Sequence, residues 1–246
     1  MTGSGAARRI RAVFFDLDDT LFAHRESVEA GIGSWRAALG GAVAAADAAA
    51  ESLRWNALEE EHYHRFLAGE LDFMGQRRAR SRGFMAPFGV QLDDAAAEQW
   101  FADYVEHYES TWRLHDDVAA CLAAVAPRRI GMITNGEFAF QAEKVTRTGL
   151  DALIPLDDMI TSGDVGIAKP DPAIFAAAAA HVRLPASELC YVGDRLHTDA
   201  IGAARAGLLG VWIDRPGHAT AEQLAEADAA GVPVIRGLAE LPPLLG

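Results

Sequence analysis

Residues 13–21, VFFDLDDTL, organise the rest of the chain. They contain most of an apolar run, residues 12–15, whose composition is typical of a strand buried on both faces of a sheet. Three acids follow within four residues, and because side chains alternate along an extended chain, Asp16 and Asp18 leave this strand on the same side. Any of these acids can instead cap a turn, which is the better explanation for Asp19. The stretch therefore predicts a buried strand that delivers two carboxylates to the edge of an open α/β sheet.

The chain changes character after this strand. From residue 26 to about residue 114, strand-like β-branched runs disappear and alanine, tryptophan, glutamate and arginine dominate, a composition that favours helix. Glycines separate the predicted helices of this block, which cover residues 27–39, 44–67, 73–85 and 93–112. We interpret the block as a helical insertion with a small core of its own.

Beyond residue 116 the sequence alternates strands with helices. Apolar segments predict strands over residues 129–134, 159–161, 189–193, 209–213 and 234–235. Helices are predicted over residues 137–148, 172–181, 197–206 and 238–241. This alternation predicts an α/β fold in which a parallel sheet carries helices on both faces. The predicted boundaries are 8–23 with 115–246 for the sheet domain, 24–114 for the helical insertion and 1–7 for a flexible tail.

The overall composition argues against several classes of partner. With 50% hydrophobic and 23% charged residues, the 246-residue chain is expected to bury a substantial core. A formal net charge of −13 argues against a nucleic acid polymer as partner. Apolar runs are shorter than the roughly 20 residues that a membrane span requires, and no signal peptide is recognisable, so we expect a cytoplasmic protein with no membrane partner. Cys121 and Cys190 lie in apolar segments and predict neither a disulfide nor a thiolate metal site.

Two further segments carry polar groups suited to an anion. Thr134, Asn135 and Gly136 follow a predicted strand and offer a hydroxyl, an amide and a free backbone N–H before a helix, where oxyanions bind well. Lys169 lies in a loop just upstream of another predicted helix. Taken alone, the first segment is better explained by an Asn-Gly turn, and the lysine by a solvated side chain.

A second acidic strand end completes the pattern. Asp194 follows the predicted strand 189–193, and Asp199 lies in the first turn of the next helix, where either acid can also act as a cap. In a parallel sheet these strand ends lie along one edge. Carboxylates brought together there repel by about 4 kcal/mol per pair at about 4 Å and an effective dielectric constant of about 20. The cluster therefore requires a cation, and because every ligand is an oxygen, magnesium is the expected ion.

Together these residues resemble the four sequence motifs of the haloacid dehalogenase-like hydrolases. The matching positions are 16–20 (DLDDT), Thr134 with Asn135, Lys169, and Gly193 with Asp194 and Asp199. The resemblance extends from residue 13 to about residue 213, and the order and strand context also match. It implies a Rossmann-like core, and the helical insertion resembles the C1-type helical cap of that superfamily.

The resemblance also implies an activity and a role for each residue. A small phosphorylated metabolite, such as a nucleotide or sugar phosphate, would be hydrolysed in the presence of Mg2+ through an aspartyl-phosphate on Asp16. Asp18 would protonate the leaving group and then activate water. The phosphoryl oxygens would be bound by Thr134, Asn135, Gly136 and the catalytic Lys169. The ligands of Mg2+ would be Asp16, the backbone carbonyl of Asp18 and Asp194, and Asp199 would be a further ligand or lie close to the ion.

Three alternatives share part of this pattern. Members of the superfamily that cleave carbon–halogen bonds lack an acid at the position of Asp18, because halide departs without a proton. A phosphomutase would use the same four motifs. A receiver-type phosphoacceptor module also gathers acids, a threonine and a lysine, but its phosphoacceptor aspartate ends a mid-chain strand where this chain has Thr134. The exact substrate and the oligomeric state are left open by the sequence.

Overall fold

The structure of the protein is a computed structural model that describes residues 9–246. The predicted flexible tail, residues 1–7, lies outside the described residues. The chain divides into two compact units. One unit comprises Arg113–Gly246 together with the described residues up to Ala23, and the other is His24–Trp112.

The first unit is built on a parallel sheet of six strands, ordered β3-β2-β1-β4-β5-β6. The strands are β1 (Ala12–Phe15), β2 (Arg129–Thr134), β3 (Met159–Thr161), β4 (Leu189–Gly193), β5 (Leu209–Ile213) and β6 (Val234–Ile235). All six begin and end at the predicted residues. In this order β1 is central, and Phe15 pairs with Met132 of β2 on one side and Val192 of β4 on the other.

The composition of β1 follows from this central place. Its four side chains are all fully buried. Because they alternate between the two faces of the sheet, both faces are covered, which confirms the predicted fold class. On one face, Phe14 and Tyr191 pack against Ile174 and Phe175 of the helix Pro172–Val182.

The second unit contains only helices within its regular structure. They are α1 (His24–Leu39), α2 (Gly41–Ala45), α3 (Ala48–Leu67), α4 (Phe73–Met85) and α5 (Asp94–Glu109), with a short 3-10 turn after α4. The predicted helix over residues 44–67 is instead two helices. The break occurs because Asp47 caps α3, accepting a hydrogen bond of 2.8 Å from Ala50 N. The core of this helical unit centres on Trp55. The residue is fully buried, and the centroid of its ring lies 4.6 Å from that of Tyr104.

Two glycines on α1 provide a matched test of how α1 packs against α5. A Cβ at Gly31 would lie 2.6 Å from Cα and 2.9 Å from N of Tyr108, whereas a Cβ at Gly33 would meet nothing within 4 Å. Both Gly→Ala substitutions gain the same helix propensity, at most about 1 kcal/mol.

We expect Gly33→Ala to raise the free energy of unfolding by that amount. Gly31→Ala forces two helix backbones apart, and we expect it to lower the free energy of unfolding by about 1–3 kcal/mol. Denaturant titration followed by circular dichroism measures both values. Equal stabilisation by the two substitutions would contradict the close backbone contact.

The sheet unit contains the remaining helices. They are α6 (Val118–Val125), α7 (Phe138–Arg147), α8 (Ser162–Val165), α9 (Pro172–Val182), α10 (Gly202–Arg205) and α11 (Ala221–Ala229). Three of these, α6, α8 and α11, were not predicted, although the capping box of Thr220 and Gln223 at α11 is readable in the sequence. The predicted helix over residues 197–206 is instead a π-helical segment, Leu196–Ile201, followed by α10. In the part of the chain that the structure describes, no helix combines the length and hydrophobicity needed to cross a bilayer.

Candidate active site

Three carboxylates from the ends of β1 and β4 meet in the sheet unit. Asp16 directly follows β1, and its backbone N–H donates to the carbonyl of Val192 in β4 at 2.8 Å. Carboxylate oxygens of Asp16, Asp194 and Asp199 lie within 4.8 Å of one another. Asp16 and Asp199 are buried. The parallel sheet thus brings together acids that are far apart in the chain.

The π-helical segment places Asp199 in this cluster. Its carboxylate turns back to the end of β4, where Oδ2 accepts a hydrogen bond of 2.9 Å from the backbone N–H of Arg195. The side chain lies against Gly193, where a Cβ would overlap the Cβ and Cγ of Asp199. Glycine at this position therefore makes room for the acid. Unusual helical turns of this kind occur often at functional sites.

Lys169 is a buried member of the same cluster, not a solvated side chain. Its Nζ donates to Asp16 Oδ1 at 2.6 Å, to Asp199 Oδ1 at 2.7 Å and to the hydroxyl of Tyr191 at 2.8 Å. The loop that carries it is held by Asn135, whose Oδ1 accepts from Lys169 N at 2.8 Å and whose Nδ2 donates to Lys169 O at 3.2 Å. The side chain of Asn135 therefore positions the lysine.

The other polar groups at the end of β2 have specific partners. The hydroxyl of Thr134 is buried and accepts a hydrogen bond of 2.7 Å from Gln141 Nε2. The backbone N–H of Gly136, expected to be free, instead donates to Ser162 Oγ at 2.8 Å. That expectation is wrong because the segment after β2 is tied to the start of α8.

The Asp18 carboxylate contacts side chains of α7. Its two oxygens lie 2.7 and 2.9 Å from Lys144 Nζ, and Gln141 Nε2 lies 3.5 Å from its Oδ2. Among the described residues, the group of acids that can share a metal does not include the Asp18 carboxylate. Asp19 has a φ of 59° and its N–H donates to the carbonyl of Phe22, so it lies in the turn predicted for it.

Sequence reasoning missed Lys144, Gln141 and Tyr191. None of them lies in a recognised motif, and Lys144 reaches Asp18 across 126 residues of chain. The sequence nevertheless contains a signal. Lys144 and Lys169 are its two lysines, and a residue type that is used so rarely is a candidate for a specific role.

Burial and mutual repulsion shift the pKa values of this cluster. Burial raises the pKa of Asp16 to about 7, although the charge of Lys169 lowers it. Burial, followed by the charges of Asp16 and Asp199, raises the pKa of Asp194 well above its usual range. Burial lowers the pKa of Lys169, but the charges of Asp16 and Asp199 raise it by more, so the lysine stays protonated.

The donor set suits a hard divalent cation. Asp16, Asp194 and Asp199 bring three carboxylates together, and the ammonium group of Lys169 pairs with two of them. Burial and, after it, the charges of neighbouring acids raise the pKa values of Asp16 and Asp194, so a cation bound beside them would favour their charged forms. Because all three side chains present oxygen ligands, an ion of the Mg2+ type fits this group.

Comparison with known proteins gives a consistent family. The family model described as haloacid dehalogenase-like hydrolase matches residues 10–207. The chain is 29% identical over 210 residues to the glyceraldehyde 3-phosphate phosphatase of Methanopyrus kandleri, with 84% of each chain covered. It is 36% identical over 104 residues to the phosphoserine phosphatase of Thermus thermophilus, a match that covers 42% of this chain and 41% of the relative.

A solved structure shares the fold. YfnB from Bacillus subtilis, described as a HAD-hydrolase bound to magnesium, has a TM-score of 0.75 and 20% sequence identity to this chain. The superposition covers 97% of this chain and 99% of YfnB. At this identity the likeness supports the fold alone.

Proposed function

The chain belongs to the haloacid dehalogenase-like hydrolases, and from this membership we propose that it is a magnesium-dependent phosphatase that hydrolyses a small phosphomonoester through an aspartyl-phosphate. The observation that carries the proposal is the ion pair of 2.6 Å between Lys169 and Asp16 beside Asp194 and Asp199. Two similar proteins named as phosphatases support the reaction class.

In the proposed first step, Asp16 is the nucleophile. One of its oxygens forms a bond to phosphorus while the ester P–O bond breaks, and the electron pair of that bond goes to the leaving oxygen. Asp18 gives its proton to this oxygen, so the products are an alcohol, the phosphoryl group on Asp16 and the Asp18 carboxylate. An acid at position 18 favours phosphate esters over carbon–halogen bonds, because an alkoxide requires a proton and halide does not.

The proposed second step reverses these roles. Asp18 takes a proton from water, the water oxygen bonds to phosphorus, and the bond to Asp16 breaks with its electrons returning to the carboxylate. The products are inorganic phosphate, a free Asp16 and protonated Asp18, ready for another cycle.

Positive charge and hydrogen-bond donors hold the phosphoryl group in place. Lys169, fixed by Asn135 and Tyr191, provides an ammonium group next to Asp16. The Thr134 hydroxyl accepts from Gln141 and donates only across a long contact of 3.5 Å to the carbonyl of Asn135, so its hydrogen can turn to a phosphoryl oxygen. We add the backbone N–H of Asn135 as a second donor. We leave Gly136 out of this set because its N–H already donates to Ser162.

We assign the metal to Asp16, Asp194 and the backbone carbonyl of Asp18, with Asp199 held alongside by Lys169 and Arg195 N–H. When bound, Mg2+ supplies positive charge that offsets the negative charge on the transferred phosphoryl oxygens. We further propose that the helical unit His24–Trp112 is the cap that selects the substrate, as the C1-type resemblance implies.

A phosphate-release assay tests this proposal. The purified protein in Mg2+ is offered glyceraldehyde 3-phosphate, phosphoserine, nucleoside monophosphates and sugar phosphates, with a phosphodiester and a 2-chloro acid as controls. We expect repeated turnover of at least one monoester, with a kcat/KM of at least about 10⁴ M⁻¹ s⁻¹. Halide release without phosphate release would identify a dehalogenase, and a single phosphorylation without turnover would identify a receiver-type module.

A further inference from the structure

The two lysines of the chain have the same kind of environment. Arginine supplies every other permanent side-chain cation in the sequence. Lys144 and Lys169 are both buried, and each forms an ion pair with one of the three aspartates that follow β1. Lys169 holds Asp16, the proposed nucleophile, and Lys144 holds Asp18, the proposed acid and base. Only the first of these lysines belongs to a motif on which the proposed function rests.

Lys144 forms a close contact with both carboxylate oxygens of Asp18. Lys144 Nζ lies 2.7 Å from Oδ1 and 2.9 Å from Oδ2 of Asp18. The Lys144 side chain is 2% exposed, while that of Asp18 is 31% exposed. The ammonium lies 5.2 Å from the ring centroid of Phe22 and 4.9 Å from that of Phe140. A compact cation in this aromatic setting has little freedom to move.

One face of α7 carries a second contact to the same carboxylate. Gln141 lies three residues before Lys144, so both side chains project from the same side of the helix. Gln141 Nε2 lies 3.5 Å from Asp18 Oδ2 and donates to Thr134 Oγ1 at 2.7 Å. This face of α7 therefore connects Asp18 to the end of β2.

Burying a lysine only to stabilise the fold would be a poor solution. A buried ion pair costs several kcal/mol of desolvation, and replacing it by apolar residues is often neutral or stabilising. A carboxylate has about four lone-pair positions, and Lys144 occupies one on each oxygen.

We propose that Lys144 is a positioning residue that fixes the rotation of the Asp18 carboxyl group during proton transfer. This inference rests on the proposed function. In the first step the proton moves from Asp18 to the leaving oxygen as the P–O bond breaks, and the resulting carboxylate is the species that Lys144 contacts. Without Lys144, Asp18 can rotate about its side-chain bonds, and its O–H group no longer points at the leaving oxygen as the P–O bond breaks.

Leaving-group dependence separates this role from a structural one. A poor leaving group, the phenol of phenyl phosphate, needs the proton of Asp18, whereas 4-nitrophenolate departs with little assistance. The value of kcat/KM reports this first step. For Lys144→Met we expect kcat/KM to fall about tenfold more on phenyl phosphate than on 4-nitrophenyl phosphate, in the same direction as Asp18→Asn. Loss of the same factor on both substrates would overturn the inference.

Two further variants make the test specific. Val145→Ala removes buried volume next to Lys144 on α7, and we expect it to lower the melting temperature without changing the ratio of the two kcat/KM values. In an Asp18→Asn background we expect Lys144→Met to change kcat/KM on 4-nitrophenyl phosphate by less than about twofold, because Lys144 acts through Asp18. A full loss in that background would overturn the inference.

The remaining outcomes are also decisive. If Lys144→Met does not fold, Lys144→Gln is measured in the same way, and failure of both to fold would assign the lysine a structural role and overturn the inference. If the unmodified protein hydrolyses no phosphomonoester, the proposed function fails and this inference with it. If Asp18→Asn shows the leaving-group effect and the Lys144 variants do not, only the role of Lys144 is overturned.

Discussion

Asp16→Asn is expected to lower kcat by at least about 10⁴-fold on any phosphomonoester that the protein hydrolyses. An amide oxygen cannot act as the nucleophile that forms the aspartyl-phosphate. The other two acids of the cluster follow β4, so neither occupies the position of Asp16 at the end of β1. Asp16 is held 2.6 Å from Lys169 Nζ. Another acid that attacked phosphorus in its place would not have this contact with the lysine.

The fold is expected to survive this substitution. Asparagine has the shape of aspartate, and its carbonyl oxygen can still accept the hydrogen bond from Lys169. The change also removes one of three mutually repelling carboxylates, so the melting temperature is expected to stay the same or rise. Asp228→Asn, an exposed substitution of the same kind, is the matched control and should retain activity within about twofold.

The measurement is kcat from steady-state phosphate release, together with circular dichroism to verify folding. Activity of Asp16→Asn above about 1% of the unmodified protein would exclude Asp16 as the nucleophile, since nucleophile replacements cost far more. A drop in activity equal to that of Asp228→Asn would have the same consequence.

Removal of the divalent cation is the second large effect we expect. Chelation should lower kcat by about 10³-fold or more, because the metal supplies several kcal/mol of charge stabilisation and each 1.36 kcal/mol is a factor of about ten in rate. Magnesium added in excess of the chelator should restore activity. Calcium, which is larger and takes more ligands, should restore much less.

Binding of the cation can be followed without any substrate. Saturating Mg2+ at about 100 times its dissociation constant should stabilise the fold by about 2.7 kcal/mol and raise the melting temperature. Asp194→Asn removes one ligand from the cluster, and we expect it to lose most of this increase, while Asp228→Asn should retain it. Full hydrolysis in excess chelator, or an unchanged magnesium response in Asp194→Asn, would overturn the metal assignment.

Local patterns predicted the strands better than the helix ends. The strands are short, mostly apolar runs, and burial on both faces of β1 and β4 makes such runs easy to recognise. The single predicted helix over residues 44–67 is divided because Asp47 forms a cap, which is a local competition between side chain and backbone. The π-helical segment Leu196–Ile201 has no sequence pattern that distinguishes it from an ordinary helix.

The candidate site was predicted from residue types but not from contacts. The acids after β1 and β4 were expected at one sheet edge, and the structure brings Asp16, Asp194 and Asp199 together there. Taken alone, Lys169 is better explained as a solvated lysine, yet it is buried between two of these acids. Lys144 belongs to none of the motifs that the sequence shows.

The order of the strands along the chain and the polar residues that follow them can be read from the sequence, because both depend on neighbouring residues. Which of these residues meet depends on how the strands are arranged in the sheet. The sheet order places β1 between β2 and β4, and this brings Asp16 to Lys169 across 153 residues and Asp18 to Lys144 across 126. Such contacts depend on the packing of helices against the sheet, which no local pattern of residues encodes.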